Sequence, residues 1–212
     1  MAPARALTWR TADTMRRLAA CLGRLACPLV AASVLVTIVL PHAMSAQEGM
    51  FLTEEQAPGA VFPDGDSFTR QVVAATPELR AAMRAALGGV EPSIWEDEYV
   101  TFKATHGDAV LGYALIVEEI GKHRPITFVV GVRTDGRVND VAVMAYREAY
   151  GGEVKSKRFL TQYRSKHAAD ALQSPGDITN IAGATLSVEA ASRAVKKALA
   201  VAAAAFHVGS GS

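Results

Sequence analysis

The sequence predicts an α+β fold: an antiparallel sheet of at least four strands packed with helices. Three observations predict it. Between Tyr99 and Met144 the chain runs in short stretches rich in β-forming residues, and in the first, Tyr99–Ala104, apolar and polar positions alternate. Turn signals at His106-Gly107-Asp108 and Thr134-Asp135-Gly136 join those stretches as hairpins. On either side of them the apolar spacing becomes helical.

Taken in order, Gln47 to Ser67 reads as loop, with Pro58, Gly59, Pro63 and Gly65, and Thr53-Glu54-Glu55 starting at most one helical turn. Thr76-Pro77-Glu78 supplies an N-cap, a proline at the first helical position and an acid in the first turn. Leu79, Met83 and Leu87 follow at helical spacing, and Gly88-Gly89 ends that helix. Strands are predicted at Tyr99–Ala104, Val110–Val117, Ile126–Val132 and Val138–Met144. The third is nearly all apolar, which predicts cover on both of its faces. A helix is predicted over Lys155–Lys166, with Phe159, Leu160 and Tyr163 inward, and Ala168–Leu172 continues it after a break. Asp177–Ile181 is loop or short strand. The last helix runs from about Ser187 to Phe206, burying Val188, Ala191, Val195, Leu199 and Ala202, with Glu189 and Arg193 paired on its outer face.

The first 46 residues read as a secretory leader. Arg5, Arg10, Arg16, Arg17 and Arg24 precede an apolar run of 15 residues, Ala26–Leu40, which contains Pro28. Pro41 breaks the run, and Ala43, Ser45 and Ala46 offer a small-residue exit after Ser45 or after Ala46. A spanning helix wants about 20 apolar residues, so an uncleaved anchor is the lesser alternative. Arg16-Arg17 matches a twin-arginine signal poorly. Leu18-Ala19-Ala20-Cys21 matches a lipoprotein box in the wrong context, because the apolar core follows the cysteine. The resulting division is leader 1–46, a loop and helix over 47–98, the main domain over 99–206, and a tail over 207–212.

Both cysteines, Cys21 and Cys27, lie in that leader. The chain after it has no disulfide, no cysteine-ligated iron–sulfur cluster and no Cys-x-x-Cys-His haem site. The whole sequence holds 22 basic and 21 acidic residues. Five arginines and Asp13 belong to the leader, which leaves 17 and 20, a net of −3. A mildly acidic chain without a basic stripe argues against nucleic acid as a partner. His106, His123, His167 and His207 show no metal-ligand spacing, and Lys122-His123-Arg124-Pro125 makes a small basic turn.

One short stretch carries chemistry. Ala182-Gly183-Ala184-Thr185-Leu186-Ser187 places small residues and a threonine hydroxyl at the head of the last helix. Helix N-termini offer unpaired N–H groups and a positive dipole end, both suited to a phosphate. By spacing alone, Thr185 or Ser187 is equally an ordinary N-cap. The stretch lacks the length and the lysine of a P-loop.

Gly183-Ala184-Thr185-Leu186-Ser187 resembles the flavinylation motif of FMN-binding domains, found in the C subunit of the sodium-pumping NADH:quinone reductase and the G subunit of the Rnf electron transport complex. The hairpin Val129–Val138, the segment Tyr146-Arg147-Glu148-Ala149-Tyr150-Gly151-Gly152 and the aromatic stretch Phe159–Tyr163 extend the likeness over roughly 99–199, in the family's order. The chain departs from the family at Ala182, where Ser or Thr is usual, at Thr179, where an acid is common and Asp177 would substitute, and at Tyr146 and Ala149-Tyr150.

The resemblance implies a domain holding FMN covalently through a phosphoester on Thr185, attached outside the cytoplasm by a FAD:protein FMN transferase. Gly183, Ala184, Leu186 and Ser187 would cradle the phosphate, and Glu148, Gly151 and Gly152 belong to the segment facing the ring, with Glu148 orienting the loop and not touching the ring. The implied protein is a periplasmic or extracytoplasmic electron carrier, with retention at the membrane by an uncleaved N-terminus as the alternative. Its partners would be redox proteins or a membrane quinone system. The alternative is a module that binds FMN loosely and serves assembly or sensing. No nucleophile–base arrangement points to a hydrolase.

Overall fold

The computed structural model describes residues 49–209. The leader, both cysteines and residues 210–212 lie outside the described residues. Five strands form one antiparallel sheet in sequential order: β1 (Ser67–Ala74), β2 (Glu98–His106), β3 (Ala109–Ile120), β4 (Pro125–Arg133) and β5 (Val138–Tyr146). The predicted four strands are all present. The fifth, β1, begins at the loop's last residue, Ser67, and runs through a stretch for which the sequence predicts no element. It is an edge strand whose residues are half-exposed or exposed throughout, so it carries little apolar signal. At the opposite edge, Gly49–Phe51 lies along β5: Phe51 N–H donates to the Met144 carbonyl and Tyr146 N–H to the Gly49 carbonyl, each at 2.7 Å.

The sheet is covered on both faces, as the apolar run of β4 predicted. Seven consecutive residues of β4, Ile126–Val132, are buried. On one face Val61 and Phe62, at the end of the short helix α1 (Ala57–Val61), pack with Phe102, Ala114 and Val129. On the other, helix α2 (Pro77–Leu87) brings Met83 and Leu87 to Tyr99 and Leu115. The same face receives the long C-terminal helix, Thr185–Phe206, with Val188, Ala191, Val195, Leu199 and Ala202 all buried as expected.

The helix predicted over Lys155–Lys166 is broken. The chain makes a 3-10 turn at Gly152–Lys155, one α turn, α3, at Lys157–Leu160, and another 3-10 turn at Thr161–Tyr163. Phe159, Leu160 and Tyr163 are still buried. Continuation is blocked because the next residues pair with the start of β5. Ser165 N–H donates to the Val138 carbonyl, and Val138 N–H to the Lys166 carbonyl, each at 2.8 Å. Ala168–Leu172 is not helical. The C-terminal helix, α4, starts at Thr185 instead of Ser187.

Arg193 pairs with Glu189 as expected, at 3.9 Å. Its guanidinium also reaches inward, to Glu119 Oε2 at 3.2 Å and the Ile120 carbonyl at 2.9 Å. One turn on, Lys197 is fully buried. Its ammonium donates to both Glu96 oxygens at 2.9 Å and to the Ile94 and Glu118 carbonyls. It also lies 3.0 Å from Glu119 Oε1, an ion pair not aligned as a hydrogen bond. This cluster anchors the middle of α4 to β3 and to the segment before β2.

Candidate functional site

The start of α4 is built differently from an ordinary helix start. Ala184 occupies the N-cap position, and no side chain caps the helix. The spacing had suggested Thr185 or Ser187 as the cap, and neither serves. Thr185 is the first helical residue and is exposed. Its Oγ1 accepts from Asn180 Nδ2 at 3.1 Å. The first backbone bond of the helix runs from Val188 N–H to the Ala184 carbonyl at 2.9 Å. The N–H groups of Thr185, Leu186 and Ser187 have no acceptor among the described residues, and no acid stands in the first turn. Gly183 enters this turn at φ +81°, with open space where a Cβ would sit. Glycine is there for the backbone angle, which other residues adopt at a cost of about 1–2 kcal/mol.

The segment after β5 meets that helix start. Ser187 is buried, and its Oγ lies 3.0 Å from the Tyr146 hydroxyl. The same hydroxyl donates to the Tyr150 carbonyl. Burial raises the Tyr146 phenol above its ordinary value, so it stays protonated and able to donate at neutral pH. Gly151 fits into this junction at φ +80°: a Cβ there would lie 2.8 Å from Ser187 Oγ and 3.0 Å from the Tyr146 hydroxyl. A side chain at 151 would part the loop from the helix. Gly152 stands one residue further, against Lys155, whose ammonium lies 4.7 Å from the Phe51 ring and 5.3 Å from that of Tyr146.

A cleft of about 410 Å³ opens at this junction, lined by Lys122, Tyr150 and the run Gly183–Ser187. That volume lies within the range of roughly 300–1,000 Å³ typical of small-ligand sites. Tyr150 is 81% exposed, although its carbonyl is held. An aromatic ring is thus presented to solvent on a fixed backbone.

Of the residues singled out in the sequence, the structure brings Gly151, Gly183, Ala184, Thr185, Leu186 and Ser187 to this junction. Glu148 points elsewhere. Its Oε1 accepts the backbone N–H groups of His123 and, at 2.8 Å, Arg124. Burial acts to raise its carboxyl, and the N–H groups of His123, Arg124 and Lys122 outweigh that and hold it below the ordinary range. Glu148 thus orients the basic turn. Asp177 does not stand in for an acid near Thr185 either. Its carboxylate accepts from Gln173 N–H at 2.8 Å, Leu172 N–H at 3.0 Å and Lys166 Nζ at 3.3 Å. Thr179 N–H is taken by Gln162 Oε1 at 2.8 Å. The residue that does touch Thr185, Asn180, carried no motif signal in the sequence.

Residues 121–200 match the family model of the FMN-binding domain. The chain carries an FMN-binding domain. The matched stretch begins at the basic turn and takes in β4, β5, the Tyr146–Gly152 segment and most of α4, so it contains every element that lines the cleft. No curated protein matches the chain. The residues present fit FMN. The three unclaimed N–H groups suit its phosphate, the exposed Tyr150 ring suits a flat aromatic system, and among the described residues no carboxylate lines the cleft to oppose an anion. FMN is the cofactor of this domain. Among the described residues, no helix is long and apolar enough to cross a membrane.

Proposed function

We propose that this FMN-binding domain carries its flavin covalently, as a phosphoester on Thr185, and transfers electrons outside the cytoplasm. The observation that carries the reading is an exposed threonine hydroxyl on the first residue of a helix whose N-terminal N–H groups nothing else claims. Attachment from FAD breaks the bond between its two phosphates and forms one from phosphorus to Thr185 Oγ1. AMP leaves, and the threonine proton is lost. Asn180, which donates to Oγ1, fixes the hydroxyl oxygen while leaving its proton free to depart. The donor enzyme would be a FAD:protein FMN transferase acting outside the cytoplasm, where the arginine-rich leader and its apolar run would send this chain.

Bound FMN supplies the electron-transfer chemistry, and the chain supplies attachment, orientation and tuning. The N–H groups of Thr185, Leu186 and Ser187 would hold the phosphate oxygens at the positive end of α4. Tyr146 ties Ser187 to the Tyr150 carbonyl and so keeps the loop and the helix start at a fixed separation. Tyr150 offers the face for stacking. No side chain in the cleft is required as an acid or base. Electron donor and acceptor would be redox proteins or a membrane quinone system.

The reading is tested by co-expressing the chain with the transferase and running it on a denaturing gel. Flavin fluorescence should migrate with the wild-type chain and be absent from Thr185→Val. Flavin that leaves the wild type on denaturation would favour a loosely binding assembly or sensory module instead. Flavin retained by Thr185→Val would place the attachment elsewhere.

A further inference from the structure

The basic turn Lys122-His123-Arg124 has no role in attachment, yet it is held firmly. Gly121 N–H donates to the Arg124 carbonyl at 3.0 Å, and Glu148 receives the N–H groups of His123 and Arg124. A Cβ on Gly121 would lie 2.9 Å from Ile126 Cδ1 and 3.1 Å from Glu148 Oε1, so a side chain there would push the clamp apart. The three side chains then part company. His123 and Arg124 line a separate cleft with Tyr146, Arg147 and Glu148. Lys122 lines the cleft of Thr185 and Tyr150.

The Lys122 ammonium makes no hydrogen bond or ion pair with any described residue. Among the described residues it is the only charged side chain lining that cleft. A cleft with one unpaired cation and no acid favours an anion. FMN offers two places for one: its phosphate, which the start of α4 already serves, and its ring once reduced. Uptake of two electrons and one proton leaves the ring with one added negative charge.

We propose that Lys122, held in place by Glu148, stabilises the negative charge that reduction places on the flavin ring and so raises the domain's reduction potential. The proposal rests on the Thr185 reading for the flavin's position. A nearby cation favours the reduced, more negative form through Coulomb attraction, and salt weakens that attraction because the site is open to solvent.

The test uses the full chain co-expressed with the transferase, with dithionite as reductant and redox dyes reporting the potential. Intact mass first shows that each variant carries flavin. Lys122→Gln should lower the potential, Lys122→Glu should lower it further, and Lys122→Arg should restore it. Arg158→Gln, in the neighbouring cleft beside Asn180, should leave it unchanged. The difference between wild type and Lys122→Gln should shrink at high salt. One common potential across the flavin-loaded series would overturn the proposal alone. So would a Lys122→Gln chain with less attached flavin but an unaltered potential, because that assigns Lys122 to the phosphate. A wild-type chain without flavin would overturn the Thr185 reading, and this proposal with it.

Discussion

The starts of α2 and α4 differ in what fills the acceptor positions. At α2, Thr76 accepts the Leu79 N–H at 3.2 Å, Pro77 removes one donor, and Glu78 sets a negative charge in the first turn. At α4, the cap position is an alanine, the first turn has no acid, and the nearby hydroxyl of Thr185 is held by Asn180 instead of bending back to the backbone. One helix start is completed by its own chain, and the other leaves its donors for something else. The contrast persists within α4. Its middle is anchored by Lys197 and Arg193 to Glu119 and Glu96, and Phe206 near its end stacks on Tyr113 with ring centroids 3.9 Å apart. A rigid body thus carries an open first turn, which is what a fixed attachment point needs.

That contrast can be broken at several places. The largest effect on stability is expected at the anchor. Lys197→Met would leave Glu119 and Glu96 short of a buried cation and should cost about 3–5 kcal/mol in denaturant unfolding. Folded protein should still take up flavin, which would separate the anchor from the site. Tyr146→Phe removes the hydroxyl shared by Ser187 and the Tyr150 carbonyl and should cost about 1–3 kcal/mol. It should also weaken quenching of the bound flavin, because the Tyr150 backbone loses its hold. Thr76→Ala should cost about 1 kcal/mol with no change in flavin attachment, since it opens the helix start that carries no ligand.

The smallest effect is one of pH. The Glu148 carboxyl is held below its ordinary value of 4.5. Its contribution is therefore complete above about that pH and is lost as pH falls through the lowered value. Melting temperatures of wild type and Glu148→Gln should differ by a constant amount at neutral pH and converge below pH 4.5.

Most of the frame was legible because it rests on period and punctuation. The alternation of β2, the apolar run of β4 and the stripe of α4 each report burial directly. β1 escaped because an edge strand buries too little to leave a pattern. The helix over Lys155–Lys166 failed for a different reason. Its inward residues were read correctly, but backbone pairing of Ser165 and Lys166 with Val138 is a long-range contact that local spacing does not encode. In the site, the Gly-Ala-Thr stretch was legible as a helix start, and only the structure distinguishes a capped start from an open one. The hold of Asn180 on Thr185, and the task of Glu148 at a turn about 25 residues earlier in the chain, depend on folding of separate segments against one another.

The most direct test of the open helix start is the intact mass of the chain after co-expression with a FAD:protein FMN transferase, with the modified residue located by fragmentation. The account predicts a gain of one FMN less one water, carried on Thr185. A chain at its unmodified mass, or the same gain carried on another residue, would contradict it.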